Sequence, residues 1–181
     1  MDEAYNGHLG LIQEWYSCRA QLTLRKVCMT DIVSPEVRSR MMASIKSRDT
    51  KPEMVVRRYL HGRGFRYTLA NRNLSGRPDL ALRRHNAVIF VHGCYWHGHQ
   101  GCRFATTPAT RAEFWRAKIS ANAERDARVV LELRKLGWRI AVVWECALRK
   151  RPEPVLHRLE RFLLSNRTRI EIPSGQLPRN V

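Results

Sequence analysis

The sequence predicts a single α/β domain with a mixed central sheet flanked by helices, and three observations predict it. Two short apolar runs, NAVIFV (86–91) and WRIAVVW (138–144), are too continuous for half-exposed strands and read as strands buried on both faces. Helix start and stop signals alternate with these runs, the order expected of helices covering a sheet. A length of 181 residues allows one domain with a real core and is short for two.

The elements follow in order. Ser34-Pro35 supplies an N-cap and a first-turn proline for a basic helix through about Lys46. Thr50 and Glu53 have capping-box spacing and open a second helix, which Gly62 or Gly64 stops. FRYTL (65–69) reads as a strand and SGRP (75–78) as a turn. PDLALR and NAVIFV then read as two consecutive strands. Thr110 and Glu113 repeat the capping-box spacing at the head of a long helix to about Leu136, closed by Gly137. WRIAVVW is the next strand, and Pro152 to about Leu164 the last helix. The expected organisation is an N-terminal extension at 1–30, a folded domain at 31–165 and a polar tail at 166–181.

Charge points to the partner. With 33 Lys+Arg against 16 Asp+Glu the net charge is +17, and nucleic acid is the first polyanion to consider. A membrane surface is the second, but no run approaches the ~18 apolar residues of a spanning helix. The start, MDEAYNGHLG, is acidic and polar where a secretory signal is basic and then apolar, so the expected compartment is the cytoplasm. Residues 1–30 hold three basic and three acidic side chains, so the surplus belongs to the rest of the chain. Five cysteines in such a chain favour metal binding over disulfides.

The stretch HGCYWHGHQGC (92–102) concentrates three histidines and two cysteines. Cys94, His99 and Cys102 form C-x4-H-x2-C, three soft ligands for one ion in a loop with little apolar content to fasten it. A closed structural zinc site needs a fourth donor, and Cys146, just after WRIAVVW, is the best one left. Cys146 reads equally well as a small buried core residue. His92 and His97 remain outside this set.

Asp79, in Gly76-Arg77-Pro78-Asp79, begins the first strand of a candidate hairpin whose second strand ends at Val91. The hairpin would set Asp79 against the Val91–His92 junction. A carboxylate, a strand-end carbonyl and two histidines at one place suit metal-assisted phosphodiester hydrolysis. Taken alone, Asp79 is equally a turn residue after proline. Glu53, read locally, is the N3 acid of its capping box.

Several stretches together resemble the very-short-patch-repair (Vsr) DNA mismatch endonucleases: GRPDL, VIFVHGCYWHGHQGC, ATRAEFWRAKISANAERDARV, LGWRIAVVWECAL and, upstream, RSRMMASIKSRDTKPE. The resemblance spans about residues 34–150 in order. It implies a restriction-endonuclease-like fold and nicking of duplex DNA 5′ of the thymine in T·G mismatches left by deamination of 5-methylcytosine. By position it implies Mg²⁺ held by Asp79 and the backbone carbonyl of Val91. His92 and His97 would be the catalytic histidines, with Glu53 hydrogen-bonded into the site. Zn²⁺ would sit on Cys94, His99, Cys102 and Cys146, and Tyr95, Trp96 and Trp115 would form a wedge entering the base stack. It further implies a bacterial, cytoplasmic, nucleoid-associated monomer working alongside a cytosine-5 methyltransferase and mismatch-repair proteins. This chain departs from the family pattern at three places: valine at 91 where threonine occurs, tyrosine at 95 where phenylalanine is familiar, and one extra residue between His99 and Cys102. The Glu-x-Lys of restriction enzymes is replaced by Phe90-Val91-His92, so a second acid must come from elsewhere.

Stacking side chains find mismatches because opening a base step costs least there. Trp115 has Arg111, Arg116 and Lys118 nearby for phosphate, although core packing is the commoner fate of a helical tryptophan. Met42, among Arg38, Arg40, Lys46 and Arg48, offers a further apolar wedge, or else belongs to a solvated charged helix. Trp138 and Trp144 read as core. The alternatives to a mismatch nuclease are a restriction-like nuclease of other specificity and a non-catalytic zinc DNA-binding module.

Overall fold

Residues 34–44, 48–108 and 111–173 are described by the computed structural model, with only the backbone of Pro35, Arg38, Met41 and Met42. The expected extension at 1–30, the Met42 wedge, Lys46 and the Thr110 half of the second capping box lie outside the described residues or side chains.

Helix α1 (Pro35–Ala43) begins behind Ser34, whose Oγ accepts from the Val37 N–H at 3.4 Å. Helix α2 (Lys51–Gly62) begins at the predicted capping box: Thr50 Oγ1 accepts from the Glu53 N–H at 3.5 Å and donates to Glu53 Oε1 at 2.9 Å. Strand β1 (Thr68–Leu69) is shorter than the expected 65–69, because Phe65 leaves the strand to enter the core.

Strands β2 (Leu80–Leu82) and β3 (Ala87–His92) form the predicted antiparallel hairpin, with Leu80 opposite Ile89 and Leu82 opposite Ala87. A single 3-10 turn, Arg83–His85, joins them, and Asn86 closes it in the left-handed region at φ 47°. Helix α3 (Ala112–Lys135) crosses over the sheet to β4 (Arg139–Trp144), which pairs parallel to β3 from Ala87↔Arg139 to His92↔Trp144. Arg111 precedes α3 at φ 55° with no side-chain cap. Gly137, at φ 79°, turns the chain from α3 into β4 as expected.

Two departures from the sequence expectations follow β4. A short helix, α4 (Glu145–Lys150), starts directly after it and carries Cys146. Then α5 (Pro152–Leu164) ends where predicted, but the chain beyond is no polar tail: Arg169–Ile172 is β5, pairing parallel to β4. Its alternation of exposed Arg169 and Glu171 with buried Ile170 and Ile172 is the period-2 signature of an edge strand, brief enough to pass for loop. The result is a five-stranded mixed sheet in the order β1-β2-β3-β4-β5 with helices on both faces.

Strand parity divides the core in two. Leu80, Leu82, Ala87, Ile89, Ala141 and Val143 pack against α2, α4 and α5, with Leu60, Leu159 and Phe162 at the centre. Ala81, Val88, Phe90, Ile140, Val142 and Trp144 face the other way, onto Val129 and Leu133 of α3 and onto Cys94 and Cys146. In α3 only Val129 and Leu133 are buried, so the helix is anchored by its C-terminal half and holds its N-terminal half out beside the 93–108 loop.

Candidate active site and metal cluster

The parallel strands β3 and β4 end together at His92 and Trp144, and a cavity of about 800 Å³ opens beside that edge. Ligand sites of α/β sheets gather at carboxyl strand ends for this reason: the loops diverge there and leave room. The walls carry Glu53 from α2, Asp79 from the hairpin, Val91 and His92 from β3, His97 from the following loop and Asp126 from α3. Arg77, Arg125 and Arg149 contribute positive charge.

The hairpin places Asp79 as its spacing predicts. The Val91 N–H donates to Asp79 Oδ2 at 2.7 Å, tying the carboxylate to the Val91–His92 junction. Burial pushes the Asp79 carboxyl up to about 6; the Val91 hydrogen bond opposes this, and the neighbouring Glu53 charge adds to it. Glu53 is 4% exposed and fully engaged: Oε1 accepts from Thr50 Oγ1, and Oε2 accepts from the Asp49 N–H at 3.0 Å and Arg57 Nη2 at 2.9 Å. Capping and site placement thus hold together in one residue.

His92 and His97 stack face to face, centroids 3.8 Å apart and planes 8° from parallel. Burial drives His92 down to about 3, with the nearby His97 adding to the effect, so its imidazole is neutral at ordinary pH. His97 Nδ1 lies 2.5 Å from Asp126 Oδ2. Burial pulls the Asp126 carboxyl upward, but the His97 hydrogen bond and charge win and hold it below the ordinary value. These three side chains have donor atoms within 4.8 Å of one another. Parallel rings, however, aim their nitrogen lone pairs side by side rather than at one point, so the arrangement suits moving protons better than chelating an ion.

Sequence inspection missed Asp126. The signal lay in α3: Trp115, Ile119, Asn122, Asp126, Val129 and Leu133 recur every three or four residues, and an acid on that inward stripe has no place in a simple packing face.

The soft donors converge as expected. Donor atoms of Cys94, His99, Cys102 and Cys146 all lie within 4.8 Å of one another. His99 Nδ1 is 3.5 Å from Cys94 Sγ and 3.4 Å from Cys146 Sγ, close to the roughly 3.5–3.8 Å edges of a tetrahedron with metal bonds of about 2.0–2.3 Å. Gly101, just before Cys102, takes φ 67°, a turn that glycine adopts freely. His99 stacks on Trp144 (4.1 Å, 9°), whose Nε1 donates to Glu171 Oε1 at 2.8 Å. Without an ion, burial pushes the Cys94 thiol up, so thiolates here require a cation. Trp144 is core, as expected, and also the plate on which His99 stacks.

Tyr95, Trp96 and Trp115 come together in edge-to-face contacts of 5.1, 5.7 and 6.1 Å. Trp115 is half-buried in this cluster rather than sunk in the core. Phe114, 47% exposed, extends the cluster, and Lys118 Nζ lies 5.7–5.9 Å from the Trp96, Phe114 and Trp115 rings. Asn122 Nδ2 donates to the Trp96 carbonyl at 2.9 Å, fastening the aromatic loop to α3.

Acids and imidazoles around one cleft, rimmed with arginine in a strongly basic chain, define the class of a nuclease. The family profile described as DNA mismatch endonuclease Vsr matches residues 30–103. Among relatives, the type II nicking enzyme V.XorIIP of Xanthomonas oryzae pv. oryzae is 47% identical over 120 residues, 66% of this chain and 88% of that protein. The DNA mismatch endonuclease Vsr of Escherichia coli K12 is 42% identical over 139 residues, 75% of this chain and 88% of its own length. A Neisseria meningitidis nicking enzyme, V.NmeAIP, is 42% identical over 123 residues, covering 68% and 87%. The chain belongs to the Vsr DNA mismatch endonuclease family, and it is a DNA endonuclease. No described helix is long and apolar enough to cross a membrane.

Proposed function

We propose that this enzyme nicks one strand of duplex DNA 5′ of the thymine in a T·G mismatch, by Mg²⁺-assisted hydrolysis on a restriction-endonuclease-like fold. The observation that carries the reading is the shared cavity: Asp79 and the His92/His97 pair stand at one strand edge, next to an aromatic cluster. T·G arises when 5-methylcytosine deaminates, so the enzyme works in the cytoplasm as the partner of a cytosine-5 methyltransferase.

The donors suit a hard cation. Asp79 is a half-buried carboxylate with Glu53 beside it, and a divalent ion on Asp79 and the Val91 carbonyl would relieve that repulsion. When bound, Mg²⁺ would supply polarisation of the phosphate and activation of water. His97, oriented by Asp126, moves a proton between its free nitrogen and the reacting oxygens, while neutral His92 braces it by stacking and offers a second acceptor. Arg77, Arg125 and Arg149 hold the backbone phosphates. Tyr95, Trp96 and Trp115 enter the stack at the mismatch, with Lys118 placed over them to meet phosphate or base edge. Cys94, His99, Cys102 and Cys146 would hold Zn²⁺, which would fasten the loop that carries His97, Tyr95 and Trp96.

The test compares single-turnover nicking of a T·G duplex and its fully paired counterpart, with and without Mg²⁺. Preferential Mg²⁺-dependent nicking 5′ of the mismatched thymine is expected. Equal cutting of paired DNA would leave a restriction-like nuclease, and binding without scission a zinc DNA-binding module.

A further inference from the structure

Glu53 is held from behind by a group that never reaches the cavity. Arg57 lies one turn further along α2, which puts the two side chains on the same helix face. Both are buried, Arg57 at 6% exposure and Glu53 at 4%. Glu53 lines the cavity and Arg57 does not. The guanidinium spans two acids: Nη2 donates to Glu53 Oε2 at 2.9 Å, and Nη1 donates to the Asp49 carboxylate. Asp49 itself sits at φ 55°, and its N–H also donates to Glu53 Oε2.

Fold stability does not account for this arrangement. Burying a charged pair costs desolvation that the mutual attraction only sometimes repays, and an apolar pair of similar volume commonly does as well. Here the cost is larger still, because the Arg57 Nε is buried with no hydrogen-bond partner among the described residues. What the arrangement does achieve is local. With Arg57 on one oxygen and Thr50 on the other, the Glu53 carboxylate is fixed at the cavity wall instead of swinging toward water.

We infer that Arg57 is a positioning residue for hydrolysis, the buried cation that fixes Glu53 as a second acid opposite Asp79. It acts on Glu53 from behind, since Arg57 itself does not line the cavity. The inference rests on the proposed nicking activity and on Glu53 acting in it.

The experiment is a double-mutant cycle read by single-turnover nicking of the T·G duplex, alongside duplex Kd and thermal melting. Arg57→Met is expected to slow the nicking step about 10- to 100-fold, the usual cost of removing an outer-shell partner, with duplex Kd unchanged. Arg57→Lys, which keeps the charge but cannot bridge both acids, should fall between Met and the parent. In a Glu53→Gln background neither substitution should slow nicking further. Losses that multiply in the double variants, or an Arg57→Met protein that nicks at the parent rate, overturn the inference. If Arg57→Met does not fold, the lysine variant with and without Glu53→Gln decides the same question. A parent protein that fails to nick defeats the underlying functional reading instead.

Discussion

Two clusters of potential ligand side chains lie at the same end of the sheet, and they differ in almost every physical respect. The Cys94–His99–Cys102–Cys146 set is soft and compact, with all donors within 4.8 Å and two of its sulfurs buried. The Asp79–Glu53 side of the cavity is hard and open to about 800 Å³ of space. The first has four protein donors for a tetrahedral ion and no vacancy for anything else. The second offers few protein oxygens, so a hard cation held there would keep most coordination positions for water and substrate. A closed set of soft donors suits a framework and an open carboxylate pair suits chemistry, and the loop at 93–102 carries parts of both, because His97 lies between Cys94 and His99 along it.

The sharpest way to break this contrast is to remove one ligand from each cluster. Cys94→Ala should lose bound zinc by metal analysis and several kcal/mol of stability, enough to abolish folding at growth temperature. A folded variant retaining one zinc per chain would refute the ligand set. Asp79→Asn should do the opposite, keeping fold and zinc while nicking falls by about 10³-fold or more, the several kcal/mol expected when a metal's contribution is lost. Binding to the mismatch duplex, followed by fluorescence anisotropy, should persist.

Asp126→Asn probes the histidine pair. It keeps the shape of the 2.5 Å contact to His97 Nδ1 but removes the charge that orients and supports the imidazole. Nicking should fall about 10- to 100-fold, with an altered pH profile and unchanged zinc content. Trp115→Ala should act on recognition. Losing one stacking surface of about 1–3 kcal/mol should weaken T·G binding five- to a hundredfold, roughly, and narrow its preference over paired DNA. Equal losses on both duplexes would make Trp115 a general anchor only.

The smallest effect concerns stability against pH without divalent ions. Asp79, raised in the fold to about 6, contributes stability that is present below its ordinary value near 3.8 and lost as pH rises through 6. His92, lowered to about 3, contributes stability present above 6.5 and lost as pH falls toward 3. Between roughly pH 4 and 6 the two slopes oppose. Asp79→Asn removes one of them: the variant should be more stable than the parent above pH 6, by about 1–2 kcal/mol, and lose that advantage below pH 4. Thermal melts at pH 4 and 7.5 decide it.

How much could be read from the chain alone followed from how local each feature is. The Thr50–Glu53 cap, the Asp79–Val91 hairpin and the C-x4-H-x2-C loop each depend on a few residues of backbone geometry, and each stands where spacing put it. Asp126 depends on the rotation of a 24-residue crossover helix against a loop about 30 residues earlier, and spacing within ERDAR says nothing of that. Nothing in the sequence distinguishes Arg57 among 33 Lys and Arg residues; only burial against Glu53 sets it apart. Strand β5 has too few residues for its alternation to stand out, and α4 is a single extension of a strand end.

The chain's tolerance of length changes follows from the parity of β3. Phe90 and His92 face α3, while Ile89 and Val91 face the opposite layer. One residue inserted between Asn86 and His92 would turn the imidazole through the sheet, away from His97, and bring valine to the reacting side. A few positions later the chain leaves regular structure between His99 and Cys102, where Gly101 turns left-handed and Cys102 joins the cluster. Over about fifteen residues the same sequence passes from a strand whose parity fixes every residue to a loop whose path is set by glycine turns.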